Sequence, residues 1–372
     1  MGKTILITGG AGFIGSHLAD ELLARGYRVR VLDNLSSQVH GNSGARPSYL
    51  SAEVELIAGD VRDPAAVRKA LVDVEAVYHL AAAVGVGQSM YQVMHYTEVN
   101  NLGTAVLLEA LIEQPVNRLI VASSMSLYGE GLYVGPDGAT WEGVERTLDQ
   151  LRARQWDAMS PSGERLAPVP TPETKPPSVS SIYALGKYDQ ERMCLLVGGA
   201  YGIATVALRF FNVYGPRQAL SNPYTGALAI FASRMLNGKA PLIFEDGRQQ
   251  RDFVHVTDVA TAARLALEAQ NVKGQVINVG SGQHFTIGDI ARRLGALLGR
   301  HDLEPEITGK YRIGDIRHCF ADVSRARALL NFAPAISLEQ GLMTLAEWLT
   351  RQVAVDRVDV ARQELEARGL AL

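Results

Sequence analysis

Tyr183 and Lys187 carry the pair of side chains best suited to acid–base chemistry in this sequence. Side chains at positions i and i+4 of a helix lie on one face, so the phenol and the ammonium would be neighbours. A phenol alone has a pKa of roughly 10, and a nearby positive charge lowers it. Tyr183 is therefore predicted to give up or take a proton near neutral pH. The same spacing is also common on helix surfaces.

Three serines follow an apolar run that is typical of a strand. Ser124 is predicted to hydrogen-bond the reacting oxygen, Ser126 to help bind the substrate, and Ser123 to make structural bonds. A serine in such a position also often caps a helix or a turn, and that role is the alternative for each of them.

A glycine-rich turn follows the first predicted strand, Thr4–Thr8. Gly9 permits a tight turn, Gly12 lets a pyrophosphate approach the backbone, and Gly15 lets a helix pack closely on the sheet. Free N–H groups and the helix dipole favour the phosphates. The pattern predicts a dinucleotide site, and a turn used only for packing is the alternative.

Asp33, at the end of the second predicted strand, indicates which dinucleotide binds. A carboxylate there accepts hydrogen bonds from ribose hydroxyls and repels a 2′-phosphate, so we predict NAD rather than NADP. Asp60, after the third strand, would meet the adenine amino group or else cap the helix that begins at Pro64. The residues predicted to bind NAD are Gly9, Gly12, Phe13, Ile14, Gly15, Asp33, Asn34, Asp60, Val61, Leu80, Ala81, Ala82, Tyr183 and Lys187.

The elements that position these side chains alternate between strands and helices. This alternation predicts an α/β fold of the Rossmann type, a doubly wound parallel sheet. The predicted strands are Thr4–Thr8, Arg28–Leu32, Val54–Ala58, Ala76–Leu80, Arg118–Ala122 and Ala204–Arg209. The predicted helices between them are Ile14–Arg25, Pro64–Leu71, Tyr96–Glu113 and Ile182–Tyr201.

Two departures from the alternation divide the chain. The insert at 131–180 contains no predicted strand, and we expect either a lid or interaction insert near the active site or a mobile surface loop. Shorter elements after Arg209 predict a smaller C-terminal α/β substrate lobe. We expect an NAD-binding domain at 1–206 and a lobe at 207–372 that mainly binds the substrate, with some segments returning to the first domain. The shorter predicted elements are Val144–Gln155, Ala227–Asn237, Leu242–Phe244, Asp252–Val256, Gln275–Val279, Ile287–Leu298 and a charged exposed helix at Val355–Gly369.

Composition excludes other classes of protein. In 372 residues, 36 Lys and Arg oppose 39 Asp and Glu, and the net charge of −3 offers no basic field for nucleic acid or anionic lipid. The sequence has no apolar run of the roughly 18 residues that a membrane span needs, and no signal-peptide pattern. Cys194 and Cys319 are expected to be reduced core thiols. We expect a cytoplasmic protein with no nucleic-acid partner, no membrane partner and no metal ligands.

The motifs, in this order, resemble those of extended short-chain dehydrogenase/reductases of the NAD-dependent nucleotide-sugar epimerase/dehydratase family. The resemblance runs from Thr4 to about Trp348. In the second lobe the resemblance implies that Asn212 binds the substrate diphosphate and that Arg251 and Arg312 bind phosphate. The guanidinium group suits this role because its N–H donors form a planar fork. Asp315 would bind the nucleotide ribose. The implied substrate-binding residues are Val84, Ser124, Ser126, Asn212, Arg251, Arg312 and Asp315.

The resemblance also implies the reaction. In this family the tyrosinate takes a proton from the sugar 4-hydroxyl while the C4 hydride moves to NAD. In 4,6-dehydratases an Asp-Glu pair follows the serine or threonine, whereas Met125 and Ser126 occupy those positions here. We therefore expect a nucleotide-sugar 4-epimerase with Ser124, Tyr183 and Lys187 as its catalytic residues.

The substrate is a second expectation from the resemblance. Segments 82–91, 217–224 and 314–319 are most similar to the subgroup that converts dTDP-L-rhamnose into dTDP-6-deoxy-L-talose. Gly85 and Gly87 would leave room for a sugar to turn, or they belong to a plain loop.

Other activities on the same scaffold stay open. They are 4-epimerisation of UDP-glucose, UDP-galactose or UDP-glucuronate, and decarboxylation, dehydration or keto-sugar reduction. A non-enzymatic dinucleotide sensor would not need the Ser, Tyr and Lys. In this family, helices matching Tyr96–Glu113 and Ile182–Tyr201 pair across a dimer axis as a four-helix bundle. We expect such a homodimer, and burial of these helices within one chain is the alternative.

Overall fold

The computed structural model describes residues 3–224, 226–312, 314–352 and 356–371. Apolar β-branched runs form the strands, and helices fill the intervals between them. The elements up to the serine-bearing strand are β1 (Thr4–Thr8), α1 (Phe13–Ala24), β2 (Arg28–Asp33), α2 (Ser37–His40), β3 (Glu55–Ala58), α3 (Pro64–Leu71), β4 (Ala76–His79), α4 (Val86–Ser89), α5 (Val93–Thr97), a π-helical turn (Glu98–Leu102), α6 (Gly103–Glu113) and β5 (Arg118–Ser124).

Several of the strands after β5 have only two or three residues. A 3₁₀ turn (Met125–Tyr128) follows β5 directly. The elements that follow are β6 (Leu132–Val134), β7 (Thr140–Trp141), α7 (Leu148–Arg152), β8 (Ala167–Val169), α8 (Ile182–Tyr201), β9 (Ala204–Phe210), β10 (Asn212–Tyr214), α9 (Ala227–Leu236), β11 (Leu242–Ile243), β12 (Gln250–Arg251), β13 (Phe253–His255), α10 (Val256–Glu268), β14 (Val276–Val279), β15 (Phe285–Thr286), α11 (Ile287–Leu297), β16 (Glu306–Ile307), β17 (His318–Cys319), α12 (Ser324–Leu330), α13 (Leu338–Leu349) and α14 (Val358–Ala367).

Within the described residues, seven parallel strands form the main sheet in the order β14-β9-β5-β4-β1-β2-β3. Successive side chains of a strand point to opposite faces. Ile5 and Ile7 accordingly belong to the core that contains α1 and α10, whereas Leu6 belongs to the core with α3, α6 and α8. Helices cover both faces, so the predicted doubly wound Rossmann sheet is confirmed.

The outer strand β14 returns from the second half of the chain. Gln275–Val279 was assigned to the smaller lobe, but Val276–Val279 pairs with β9 in the main sheet, and the unpredicted helix α10 packs against α1. The predicted domain boundary at position 206 falls inside the strand β9. We propose the same two-part division of the chain, with the boundary after Phe210 and with α10 and β14 belonging to the first domain.

The smaller lobe has a core of its own. Residues of α9, α11 and α13 pack together there, among them Phe231, Leu294 and Leu342. The sequence analysis had not predicted α12 or α13. The predicted tail helix Val355–Gly369 begins instead at Val358; Val355 lies outside the described residues, as does Ile313 of the Tyr311–Asp315 motif.

The insert at 131–180 is folded. Its three strands form an antiparallel sheet in the order β7-β6-β8, so the prediction that this stretch has no strand is wrong. A small cluster of Tyr133, Val144, Ala158 and Leu166 forms its core. Strands of two or three residues are too short to give a readable pattern in the sequence.

No helix in the described ranges is long and apolar enough to cross a membrane. Cys194 and Cys319 are buried free thiols, as predicted. Burial raises the pKa of each thiol to about 12, so neither is a reactive thiolate.

Candidate active site

The glycine turn joins β1 to α1 at the carboxyl end of the sheet. Gly9 has a φ of +69°, and a Cβ there would lie 2.9 Å from the backbone of Ala81. A Cβ on Gly15 would lie 2.5 Å from Gly10 Cα, so only glycine lets the helix pack this closely. No side chain caps the N-terminus of α1 at Gly12. Its N–H groups and dipole are therefore available to a pyrophosphate.

Asp33 holds the glycine turn as well as facing the cleft. Its Oδ2 accepts from the Ala11 amide (3.0 Å), and its Oδ1 accepts from the Leu35 amide (2.9 Å). Each carboxylate oxygen keeps a further lone pair for a ribose hydroxyl. This anchoring of the turn was not foreseen from the sequence.

We expect Asp33→Asn to lower the ratio of NAD to NADP affinity by about tenfold, which corresponds to roughly 1.4 kcal/mol. The amide oxygen keeps one of the two backbone hydrogen bonds and the NH2 group loses the other, which weakens both dinucleotides alike, whereas loss of the charge that repels a 2′-phosphate favours only NADP. Titration of both dinucleotides into the apoprotein checks this ratio. Asp63→Asn is the matched control, because Asp63 caps α3 at the Ala65 amide. An unchanged ratio in Asp33→Asn would exclude the ribose role.

Asp60 lines the cleft. Hydrogen bonds from Arg62 hold the pKa of this carboxyl well below its usual range, and Asn34 Nδ2 donates to it as well (3.0 Å). The cap of α3 is Asp63 rather than Asp60, so the alternative role considered for Asp60 is wrong.

Ser124, Tyr183 and Lys187 line one cleft together with the glycine turn and Asp33, and its volume is about 430 Å³. Ser124 ends β5 and also caps the 3₁₀ turn, accepting from the Ser126 amide (3.1 Å) and the Ser126 hydroxyl (2.9 Å). Its capping role and its place in the cleft therefore coexist. Ser123 donates to buried Glu191 (2.6 Å), a structural bond as predicted.

Tyr183 stands in the first turn of α8, which Ser181 caps at the Ala184 amide. Burial raises the pKa of Tyr183 above its ordinary value, and a hydrogen bond with Ser124 partly offsets the rise. In the protein alone, desolvation of the phenol is the larger effect. The lowering that is predicted from the Lys187 ammonium together with a positively charged nicotinamide ring stays a prediction.

Lys187 is held in place by a polar network that the sequence analysis missed. Its ammonium donates to Gln190 Oε1 (2.8 Å), and Gln190 Nε2 donates to Thr104 Oγ1 (2.9 Å). His79 contacts Thr104 (2.9 Å) and Thr8 (2.8 Å) on its two ring nitrogens. Burial lowers the pKa of Lys187 to about 8. The signal for Gln190 is its position three residues after Lys187, on the same helix face.

Two buried oxygens at the substrate end of the cleft have no hydrogen-bond partner: Asn212 Oδ1 and Gln218 Oε1. Buried polar atoms are normally satisfied, so these two oxygens are candidates for hydrogen bonds to a ligand in the cleft. Asn212 was predicted from the sequence. Gln218 was missed, as were the cleft-lining residues Gln88, His95 and Asn222.

Val84 lines the cleft, whereas Arg251, Arg312 and Asp315 are not among its lining residues and form a cluster of their own. Arg312 Nη2 donates to Asp315 (2.8 Å), and Arg251 Nη1 donates to the Gln250 and Arg317 carbonyls (2.9 and 3.0 Å). Arg251 and Arg312, which the resemblance implies bind phosphate, are thus brought together, and the N–H groups named here donate to atoms of the protein.

Gly85 and Gly87 have a packing reason. A Cβ on Gly85 would lie 2.8 Å from Tyr224 Cβ and from the Tyr96 hydroxyl, and one on Gly87 would lie 3.3 Å from Leu365. The cleft is lined by the neighbouring Val84 and Gln88 instead. Room for a turning sugar is therefore not the reason for these two glycines.

The chain is similar to known proteins over almost its whole length. The model of the NAD dependent epimerase/dehydratase family matches residues 5–148 and 157–280. A dTDP-L-rhamnose 4-epimerase of Burkholderia thailandensis is 37% identical, over 95% of this chain and 96% of its own. The UDP-glucose 4-epimerase of Thermotoga maritima, solved with UDP-glucose, is 33% identical with a TM-score of 0.75, over 94% and 99% of the two chains. A Bacillus cereus UDP-glucuronic acid 4-epimerase, solved with UDP-glucuronic acid and NAD, is 29% identical with a TM-score of 0.76 and covers 94% and 99%.

Proposed function

The chain belongs to the NAD-dependent epimerase/dehydratase family, and from this premise we propose that it is a nucleotide-sugar 4-epimerase acting on dTDP-L-rhamnose. The product would be dTDP-6-deoxy-L-talose. The observation that carries the proposal is the meeting of Ser124, Tyr183 and Lys187 in the cleft that also contains the glycine turn. The 37% identity to a dTDP-L-rhamnose 4-epimerase supports the choice of substrate.

The residues present fit NAD. The uncapped start of α1 suits a pyrophosphate, the Gly9–Ala81 contact lets backbone line the site, and Asp33 faces the cleft with free lone pairs. Bound NAD supplies the hydride acceptor and donor, together with a positively charged ring. Lys187 and Tyr183 would hold its nicotinamide half.

The protein's own residues move the proton. Tyr183 takes the proton of the sugar 4-hydroxyl, and Ser124 hydrogen-bonds the same oxygen as C4 becomes a ketone. The 4-keto sugar then turns to present its opposite face, and Tyr183 returns the proton to the 4-oxygen as C4 is reduced again on that face. Lys187, fixed through Gln190, stabilises the negative charge on the phenolate.

The residues that line the cleft favour a substrate whose sugar is uncharged, and they disfavour elimination of water from the sugar. Among the described residues lining the cleft, Lys187 is the only lysine or arginine. A uronate carboxylate would lack the paired cation that a buried charge needs, which disfavours UDP-glucuronate epimerisation and decarboxylation. Met125 and Ser126 are buried in the 3₁₀ turn and provide no carboxylate for removing water.

A UDP-glucose 4-epimerase is the second candidate, because the T. maritima enzyme with UDP-glucose shares the fold over nearly the whole chain. Incubation with dTDP-L-rhamnose, UDP-glucose and UDP-glucuronate without added cofactor separates the candidates by NMR of the sugar protons. We expect dTDP-L-rhamnose to equilibrate fastest. Faster conversion of UDP-glucose would select the second candidate, and activity only with added NAD(P)H would indicate a reductase.

Exposed apolar side chains support the proposed homodimer. Helices α5, α6 and α8 and the π-helical turn have exposed apolar side chains, and Met94 is 74% exposed. These side chains are Met94, Leu102, Ile112, Leu185 and Leu196. A four-helix bundle with a second copy would cover such a surface. A monomer in sedimentation at micromolar concentration would contradict it. The cytoplasmic location stays a prediction.

A further inference from the structure

The C-terminal segment 356–371 lies beyond the residues that the family model matches. The sequence indicated a charged, exposed helix here. The helix α14 instead docks on the body of the protein, and Ala361 and Leu365 are 7% and 6% exposed. Its function is not explained by the mechanism above.

One carboxylate of α14 joins two separate loops. Glu364 Oε2 accepts from the Tyr91 hydroxyl (2.7 Å) and from the Tyr224 hydroxyl (2.9 Å), and the two hydroxyls are 2.5 Å apart. The Arg368 guanidinium lies 4.3 Å above the Tyr91 ring. Hydrogen bonds to a charged acceptor are stronger than neutral ones, so this contact fixes both tyrosines.

Both loops contribute residues to the wall of the cleft. Gln88 and Asn222 line it, and Gln38 Nε2 donates to the side-chain oxygens of both (3.0 and 3.3 Å). Gly85 is pressed against Tyr224, and Gly87 is pressed against Leu365 of α14. Glycine is therefore needed at position 85, beneath Tyr224, and Gly87 lets the segment 85–91 lie close beneath Leu365 of the C-terminal helix.

The segment is anchored on either side of Glu364. Asp359 pairs with Arg234 (3.2 Å) and Lys239 (3.0 Å), and Glu366 pairs with Lys310 (2.6 Å). Ala371 then forms an antiparallel β-bridge with Arg312. The segment thus runs from the smaller lobe across the cleft wall to an arginine implied to bind phosphate.

We propose that the C-terminal segment 356–371 is part of the substrate site, and that Glu364 is the positioning residue that holds loops 85–91 and 217–224 in their binding arrangement. Ordering a loop when the substrate binds costs free energy. Because Glu364 would hold both loops in place beforehand, the substrate would bind more tightly. The proposal rests on the proposed function for its substrate class, a nucleotide sugar.

Steady-state kinetics of Glu364→Ala with dTDP-L-rhamnose test the proposal. We expect KM to rise about tenfold, since two hydrogen bonds to a charged group are lost, while kcat, Tm and bound NAD stay near the unmodified values. Glu364→Gln should recover most of the affinity, because its amide oxygen accepts from both hydroxyls. Gln363→Ala, the exposed neighbour on the same helix, is the matched control and should leave KM unchanged.

Hydrogen exchange measures the positioning without any turnover. In Glu364→Ala, amides of 85–91 and 217–224 should exchange faster than in the unmodified protein and in Gln363→Ala. An unchanged KM with unchanged exchange overturns the proposal, and so does a loss of Tm and kcat at constant KM. If the unmodified protein converts no nucleotide sugar, the proposed function fails, and the exchange rates alone decide the role of Glu364.

Discussion

Tyr183→Phe is expected to lower turnover by about 10²–10⁴-fold, the usual contribution of a positioned acid–base group. The substitution removes one oxygen from the first turn of α8 and leaves the ring in place. Bound NAD should stay close to the unmodified level, because the glycine turn and Asp33 hold the adenosine half. Sugar conversion by NMR and NAD released on denaturation measure the two quantities.

Tyr201→Phe serves as the matched control for this substitution. Tyr201 ends the same helix and is 54% exposed, so loss of its hydroxyl should leave turnover unchanged. Turnover of Tyr183→Phe within a few fold of the unmodified enzyme would remove Tyr183 from the mechanism. Loss of bound NAD together with turnover would mean that the tyrosine acts mainly in cofactor binding.

Arg317→Ala should produce the largest loss of stability, about 3–5 kcal/mol, the usual cost of leaving buried charges unpaired. Arg317 is 1% exposed and donates to Asp157 of the insert (3.0 Å), to Glu245 (3.0 Å) and to Asp246 (2.9 Å). Burial opposes its charge, but the hydrogen bonds with Asp246 and its other acidic neighbours raise the pKa of Arg317 above its ordinary value. The free energy of unfolding in urea is the measurement.

Two further variants show whether charge or packing is responsible. Arg317→Met keeps an apolar stem and should lose nearly as much stability as Arg317→Ala. Arg292→Ala breaks an exposed pair with Asp289 and should cost at most about 1 kcal/mol. Equal losses in Arg317→Ala and Arg292→Ala, or recovery in Arg317→Met, would contradict a network held by buried charge.

Local patterns in the sequence predicted side chains that the structure brings together in one cleft. The glycine turn needs only the strand before it and the helix after it, and the Tyr183–Lys187 spacing needs only one helix. Because parallel strands present their carboxyl ends at one edge of the sheet, the serines at the end of β5 and Asp33 at the end of β2 were expected near the same cleft. The structure places them there.

Features that depend on distant segments could not be predicted. The strand β14 joins the sheet beside β9, and its short run carries no signal of its neighbour. Arg317 meets acidic residues more than 70 positions away. Glu364 meets Tyr91 across 273 positions, so a charged amphipathic tail gave no indication of where it docks. The lysine network through Gln190 and His79 likewise required the three-dimensional arrangement.

The central claim is that C4 is oxidised and then reduced again within one active site. The most direct measurement follows dTDP-L-rhamnose carrying deuterium at C4, incubated with the purified enzyme in ordinary water without added cofactor. We expect dTDP-6-deoxy-L-talose with deuterium retained at C4 and no net change in nicotinamide absorbance. Product with solvent hydrogen at C4, a dehydrated product, or no conversion of this sugar would contradict it.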